Sequence, residues 1–559
     1  MIRRTLLTTL GTLCLSVGTG LADTVLPGVR PADEPLAPAL TMPVNPGDNG
    51  TVIQTQTIAG TGNISSNADI AFVLKKVRFS GNRALSDDSL QTLAKPYIGQ
   101  AISAADLRSL QTRISQYYIS RGFINSGARL PDQAIKNGIV QFEVTEGLLS
   151  EINYPQETKL RKSYLDKRIT FDNTSILNIN TLENNLKILR NNDNIENLHA
   201  RLIPATEPGQ SILQLELIER AANRIELALD NHSSASIGEP RGRFHYRNTN
   251  LFGGSEQLNI GLGYSEGLEQ TSIDFTLPIT AAETSLLVRH HSADAEIVEE
   301  PFTALDIISD TNTTTVGVKI PLNRNPGSPR LLSFELDKRQ SETELTGLPF
   351  SFSAGFVNGQ AKVTALRVIH QWNHHGNGMT VGLRNKLSVG LDALDSTINS
   401  SPPDSEFTSL INQFIFVKHL PERRMRWLLK TDLQLSSDPL LSMEQFAIGG
   451  ANTVRGYREN LLIGDTGIVA SFEWHYRPLR TRRQFWLSGF IDYGRVDNQG
   501  RAFSGPDTLY SAGIGLRWQF AKQSKLQIDW GAPLKDIDQP DNSVQDDGFH
   551  LSLVSQWLF

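Results

Sequence analysis

From about Arg224 to Phe559 the chain alternates apolar and polar residues in short runs separated by turn residues, and helical periodicity is absent. A period of two sends successive side chains to opposite faces of a strand, so each run carries one apolar and one polar face. Ile225, Leu227 and Leu229 alternate with Glu226, Ala228 and Asp230. Leu258, Ile260, Leu262 and Tyr264 alternate with Asn259, Gly261 and Gly263, and Ile273, Phe275 and Leu277 continue the pattern. In the last run Phe549, Leu551, Leu553, Trp557 and Phe559 share one face, with His550, Ser552 and Gln556 on the other. There are about sixteen such runs, each roughly ten residues long, and an even number lets an antiparallel sheet close on itself. The expectation is an all-β membrane barrel, polar inside, whose outer face meets outer-membrane lipids. A β-solenoid would show a short fixed repeat, and none is visible; an array of sandwiches is the other alternative.

The totals agree without deciding the matter. The 559 residues include 53 Lys and Arg against 59 Asp and Glu, a formal charge of -6, which gives no basic face for nucleic acid. A mean hydropathy of -0.25 argues against a bundle of membrane helices, and no run approaches 18 apolar residues. Barrel strands average out to such values because half of each strand is polar.

The N-terminus indicates export. Arg3 and Arg4 precede an apolar stretch, Leu6 to Val17, that is too short to span a bilayer, and Gly20-Leu21-Ala22 supplies small residues for cleavage. Residues 1–22 are the expected signal peptide. The single cysteine, Cys14, lies within it. It follows bulky Leu13 and sits inside the apolar stretch, unlike a lipidation site. The mature chain is then cysteine-free, which excludes disulfides, thiol chemistry and thiolate metal sites. Residues 23–70, with Pro27, Pro31, Pro35, Pro38, Pro43 and Pro46, are expected to form an extended or flexible segment.

Between this segment and the alternating region the pattern is mixed α+β. Val77 and Phe79 belong to a strand turned by Ser80-Gly81-Asn82. Ser86 then caps a helix with Leu90 and Leu93 on one face. Ser103 and Asp106 form a capping-box pattern ahead of a helix carrying Leu107, Leu110, Ile114 and Tyr117, ended by Gly122. Two strands follow, the second being Val140 to Val144. A similar unit repeats: a strand at Ile152 and Tyr154, a helix of Leu182, Leu186 and Leu189 introduced by Asn180 or Thr181, and a strand from Leu213 to Leu217 closing near Arg220. The expected domains are 71–148, 149–221 and the barrel 222–559.

Two such modules followed by a barrel of about sixteen strands resemble the TpsB transporters of two-partner secretion, the ShlB/FhaC/HecB family within the BamA-like superfamily. Arg121-Gly122-Phe123, Leu130-Pro131-Asp132-Gln133, Gly138 and Glu146-Gly147 look like that family's first POTRA domain. Pro204 and Pro208-Gly209 look like the end of its second. Asp230-Asn231, Gly238 and Arg243 resemble the opening barrel hairpin, and Asn250-Leu251-Phe252-Gly253 occupies the place of its Asn-Pro-Leu-Gly turn, without the proline. Val454-Arg455-Gly456-Tyr457, preceded by Gly449-Gly450, matches the signature at the tip of a loop folded back into the barrel. Phe490-Ile491-Asp492-Tyr493-Gly494 matches the accompanying strand motif, in which Phe490, Asp492 and Gly494 are the defining positions. The chemistry is coherent, since glycines allow a tight reversal and arginine offers a rigid fork of donors to a lumenal carboxylate. The resemblance implies that Arg455 pairs with Asp492, with Glu473 as a second acidic partner, and that Trp557 and Phe559 form a C-terminal signal for the barrel assembly machinery. It implies an outer-membrane transporter with periplasmic POTRA domains that passes an unfolded TpsA-like exoprotein to the cell surface. It implies no enzyme activity and no cofactor. One departure concerns the helix that plugs the barrel in relatives: 23–70 does not have a helical pattern.

Other signals point elsewhere. Gly263-Tyr264-Ser265-Glu266-Gly267 fits a hydrolase nucleophile elbow, but a strand rather than a helix follows it, so a hairpin is expected. His290-His291, His370 and His374-His375 lack a completing carboxylate, so no metal is expected. No glycine-rich phosphate loop is present. Two rival functions remain open: a barrel-assembly insertase, whose POTRA count usually differs, and a passive porin, which would not need the modules.

Overall fold

The computed structural model describes residues 71–169, 176–207, 209–323, 325, 327–420, 424–478, 485–500, 505–537 and 542–559, and the strand Gln54–Thr55. The expected signal peptide and all but two residues of the proline-rich segment lie outside the described residues. Two compact units divide at Arg220/Ala221.

In the N-terminal unit the first module stacks α1 (Asp87–Ala94) and α2 (Ala104–Ser120) on a three-stranded sheet. Its central strand Ile139–Thr145 runs parallel to Lys76–Ser80 and antiparallel to Gly127–Arg129. Ser86 caps α1 and the Ser103–Asp106 capping box starts α2, each satisfying backbone N–H groups that a helix start leaves unpaired. The tyrosine that enters the core is Tyr118, fully buried, and not Tyr117. Tyr117 stays half-buried with the Arg121 guanidinium over its ring. Helical spacing allowed either residue. Tyr118 is selected by a partner: its hydroxyl donates to Glu146 Oε1 at 3.0 Å, and the same oxygen accepts the Arg83 and Ala84 amides at 2.8 Å each.

The second module has its own core around Leu165, Leu182, Leu186, Leu213 and Leu215. Its helix α4 (Ile179–Arg190) is capped by Asn178, two or three residues before the expected position, whose side chain accepts from the Asn180 and Thr181 amides. The sequence pattern passed over α3 (Lys162–Ile169) and the strand Ile195–Pro204. The sheet order is Gln54–Thr55, Ile195–Pro204, Gln210–Glu219, Leu148–Asn153, with Gln54–Thr55 added in parallel to an edge.

The C-terminal unit is a closed antiparallel barrel of sixteen long strands. They are β1 (Asn223–Asp230), β2 (Arg241–Asn248), β3 (Gln257–Ser265), β4 (Leu268–Pro278), β5 (Ser285–Glu296), β6 (Ile307–Asn323), β7 (Arg330–Leu345) and β8 (Gln360–Gly376). Then follow β9 (Met379–Leu391), β10 (Thr408–His419), β11 (Met425–Ser436), β12 (Thr466–Tyr476), β13 (Phe485–Asp497), β14 (Thr508–Trp518), β15 (Ser524–Pro533) and β16 (Phe549–Leu558). A two-residue strand, Leu348–Pro349, hangs on the end of β7. β16 pairs with β1 from Arg224↔Leu558 to Asp230↔Ser552, which closes the sheet. Closure leaves no unpaired edge for the bilayer, where unsatisfied backbone groups are costly. Beyond β16, the Phe559 and Asn223 backbones exchange hydrogen bonds of 3.1 and 3.2 Å.

Alternation sets the two faces. Leu229, Leu262, Ile273, Val316, Phe472 and Ile514 are exposed on the outside, while Asp337, Arg367, Gln413, Glu473 and Asp529 are buried within. Aromatic pairs mark both rims, Trp427 opposite Trp474 at one and Tyr493 opposite Tyr510 at the other. Ser265 ends β3 in a two-residue hairpin and donates its hydroxyl to the Ile237 carbonyl at 2.7 Å, a structural bond far from the geometry of a nucleophile.

Candidate functional site: the loop held inside the barrel

Segment 437–465 connects β11 to β12. Phe446–Ile448 and Leu462–Gly464 pair antiparallel and form a stalk. The stalk packs closely on the wall, because Phe446 fills the space a side chain at Gly467 would need. The tip turns back at Gly449, Gly450 and Gly456, with φ of 108°, 98° and 91°, a region that disfavours residues with a Cβ.

Arg455 sits at this tip, buried against the inner wall. Its Nε and Nη2 donate to the two oxygens of Asp492 at 2.7 and 2.8 Å, and its backbone N–H donates to Asp492 Oδ2 at 3.1 Å. Nη1 donates to Glu473 Oε1 at 2.7 Å, and Nη2 to the Ser471 hydroxyl at 3.1 Å. Ser471 in turn donates to Asp492 at 2.6 Å, and His475 Nε2 lies 2.7 Å from the second oxygen of Glu473. Asp529 stands 3.8 Å from Nη1 and is itself bonded by Arg517 at 2.6 Å. Every oxygen that faces the buried cation is thus held in place. Removing one partner of such a cluster costs about 3–5 kcal/mol, because the remaining charge is left buried.

The strand motif has a direct physical meaning. Residues 490, 492 and 494 face inward in succession on β13. The Phe490 ring lies 3.5 Å from the Arg455 guanidinium carbon, Asp492 takes the charge, and Gly494 leaves room for Val454, whose methyl would be 2.7 Å from a Cβ there. On the other side the Gly456 N–H donates to His550 Nε2 at 3.1 Å. Gly456 meets Gly531 of β15 backbone to backbone, so that a Cβ at Gly456 would lie 2.6 Å from the Gly531 carbonyl oxygen. The buried Tyr457 hydroxyl is 2.8 Å from the Lys535 carbonyl and 3.1 Å from that of Tyr510. Trp557 lies outward opposite Ile225 at the β1–β16 seam, and Phe559 just beyond it.

Sequence reasoning missed several residues here. Ser471 and His475 share the inward face of β12 with Glu473, so alternation could have found them. Glu444, near the loop base, could not be found that way. It binds Arg367 of β8 in two places, Nη2 at 2.7 Å and Nη1 at 3.1 Å, and lies 3.3 Å from Arg339 of β7. Asp337 also pairs with Arg367. The loop base and tip are therefore clamped to different parts of the wall with reversed polarity. Just past the tip, Glu459 is buried and accepts the Ala451 amide at 2.7 Å, and burial pushes its carboxyl up to about 8.

A closed sixteen-stranded barrel holding its own loop against an acidic inner wall defines an outer-membrane protein of the transporter type. Residues 209–518 match the family described as haemolysin secretion/activation protein ShlB/FhaC/HecB, and residues 72–147 match the ShlB-type POTRA domain. The chain belongs to the ShlB/FhaC/HecB family of two-partner secretion transporters, which export secreted partner proteins. It resides in the outer membrane with its N-terminal domains in the periplasm. It is 22% identical over 493 residues to the outer membrane transporter CdiB of Dickeya dadantii, covering 85% of each chain. It is 23% identical over 499 residues to the heme/hemopexin transporter protein HuxB of Haemophilus influenzae, again covering 85% of each. The solved structure of CdiB from Escherichia coli has the same fold, with a TM-score of 0.65 and 20% identity over 91% of this chain and 94% of that one. BamA from Haemophilus ducreyi lacking POTRA domains 1–3 matches in fold at a TM-score of 0.52 and 15% identity, over 87% of this chain and all of that truncated one.

Proposed function

We propose that the N-terminal modules capture an unfolded, TpsA-like exoprotein in the periplasm and that this polypeptide passes through the barrel as the Arg455 loop leaves its seat. The observation that carries this reading is the cluster of Arg455, Asp492 and Glu473, which pins a chain segment inside the lumen. Passage must displace that segment. Capture by strand addition fits the sheet edges, since main-chain hydrogen bonds ask little of cargo sequence. The edge strand Ile195–Pro204 already accepts Gln54–Thr55 in this way. Folding of the cargo outside makes the movement one-way, with no catalysis, cofactor or metal required of the transporter. Outer-membrane lipids surround the apolar face, and Trp557 and Phe559 serve the assembly machinery during insertion. Relatives in Haemophilus influenzae are named for heme/hemopexin transport.

The test is to delete the gene and follow export of the large secreted protein encoded beside it. Loss of export is expected, and normal export would refute the assignment. Replacing Arg455 with Ala is expected to impair export while the barrel remains in the membrane and heat-modifiable on gels. Unchanged export would refute the role of the clamp.

A further inference from the structure

Three and four residues beyond Arg455, the same loop makes a second set of contacts, away from the inner wall. Arg458 is buried and donates Nε and Nη2 to the two oxygens of Asp546 at 2.5 and 2.7 Å. Nη2 also donates to Asn542 Oδ1 at 2.6 Å, and Nη1 to Glu299 Oε1 at 2.8 Å. Asp546 is already fixed by the Asn542 and Ser543 amides at 3.0 and 2.9 Å. The adjacent Glu459 N–H donates to Gln545 Oε1 at 2.9 Å, and Gln545 Nε2 reaches the Asn231 and Ser233 carbonyls at 2.6 and 2.7 Å.

These partners belong to three different connections, 231–240, 297–306 and 534–548. Each follows an odd-numbered strand, as 437–465 does, so all four lie at the rim opposite Asn223 and Phe559. The chain enters the barrel at Asn223 from its periplasmic domains, so this rim is the cell-surface mouth. Arg458 ties two of these surface connections, through Glu299 and Asp546, to the loop that also occupies the lumen, and Gln545 beside it links the third. A guanidinium can hold carboxylates on two loops at once because its donors form a planar fork, which a lysine lacks.

We propose that Arg458 is a positioning residue that closes the cell-surface mouth through the pore loop, so that clearing the lumen and opening the mouth are one event. The short span from Arg455 to Arg458 enforces this. If the tip moves far enough to release Asp492, Arg458 is drawn off Asp546 and Glu299, and Glu459 off Gln545. The surface connections lose their common anchor as the pore clears. The inference rests on the reading that the loop moves during transport.

The experiment measures two things on the full-length protein: single-channel opening in planar bilayers, and entry of vancomycin, too large for ordinary porins, into cells carrying each variant. Heat-modifiability confirms a folded barrel. Arg458→Ala is expected to raise open probability and vancomycin entry by at least about tenfold, a modest fraction of what loss of a buried charged pair does to an equilibrium. Glu299→Gln, a milder change, is expected to give a smaller rise. Arg458→Lys, which keeps the charge but not the fork, is expected to open less than Arg458→Met, of similar bulk without charge, which a general packing defect would not do. Because one opening breaks both contacts, their free energies add, and adding Arg455→Ala to Arg458→Ala is expected to multiply the two single effects as long as opening stays short of saturation. A folded Arg458→Ala variant as quiet as wild type, beside a leaky Arg455→Ala, would overturn the coupling and leave the moving loop intact. A double variant no leakier than the larger single variant would also overturn it. If Arg455→Ala is quiet as well, the moving loop and this proposal fall together.

Discussion

At the scale of single residues, the site depends as much on side chains that are absent as on those present. Gly494 leaves the space that Val454 fills, and Gly531 lets the loop backbone approach at Gly456. Gly494→Leu is therefore expected to unseat the tip without touching any charge, and to reproduce the export defect of Arg455→Ala. Normal export by a folded Gly494→Leu variant would show that the seat is dispensable. In the first module, Tyr118→Phe keeps the ring but removes the hydrogen bond to Glu146. The expected cost is about 0.5–1.5 kcal/mol, the net worth of one hydrogen bond, because the Arg83 and Ala84 amides still hold the acceptor. Thermal unfolding of the N-terminal unit measures it, and an unchanged midpoint would contradict the packing argument.

At the scale of elements, the loop 437–465 is the part with two clamps. Glu444→Gln leaves Arg367 and Arg339 short of a counter-charge and is expected to loosen the base by about 3–5 kcal/mol. Protease cleavage within 437–465 should then become faster while the rest of the barrel stays resistant. The loop should also respond to pH through Glu459. Its buried carboxyl is raised to about 8, so the folded loop holds its proton more tightly than the free chain does. That stabilisation is complete below the ordinary glutamate range and declines as pH rises through about 8. Channel opening is expected to increase from pH 6 to pH 9, and Glu459→Gln, permanently neutral, should flatten the profile. A profile of wild-type steepness in that variant would exclude Glu459 as the source.

At the scale of the whole molecule, the barrel closes through the β1–β16 pairing, in which Leu227 stands opposite Ser555. A disulfide between Leu227→Cys and Ser555→Cys would lock that seam. If cargo travels through the lumen, export is expected to be equal in oxidised and reduced cells. Export lost on oxidation and regained on reduction would mean that the polypeptide needs the seam to part.

Much of this was legible in the chain itself. Alternation with a period of two is a local property that survives any register, so it determined the strands, the two faces of the wall and the sixteen-fold count. Helix starts were legible for the same reason: Ser86 and the Ser103–Asp106 box act on amides three residues away. Where the signal was ambiguous over one turn, the fold decided. Tyr118 rather than Tyr117 is buried because Glu146, far along the chain, offers it an acceptor, and α3 carried too few apolar residues to stand out. Arg455 and Asp492 could be named from motifs, yet their bond depends on how a long loop lies within a closed wall. Glu444 with Arg367, Gly456 against Gly531, and Arg458 with Asp546 and Glu299 had no sequence signature. Their partners are brought together only by closing sixteen strands into a ring. Local periodicity fixed what each strand is; closure, a property of all strands at once, decided which charges meet inside it.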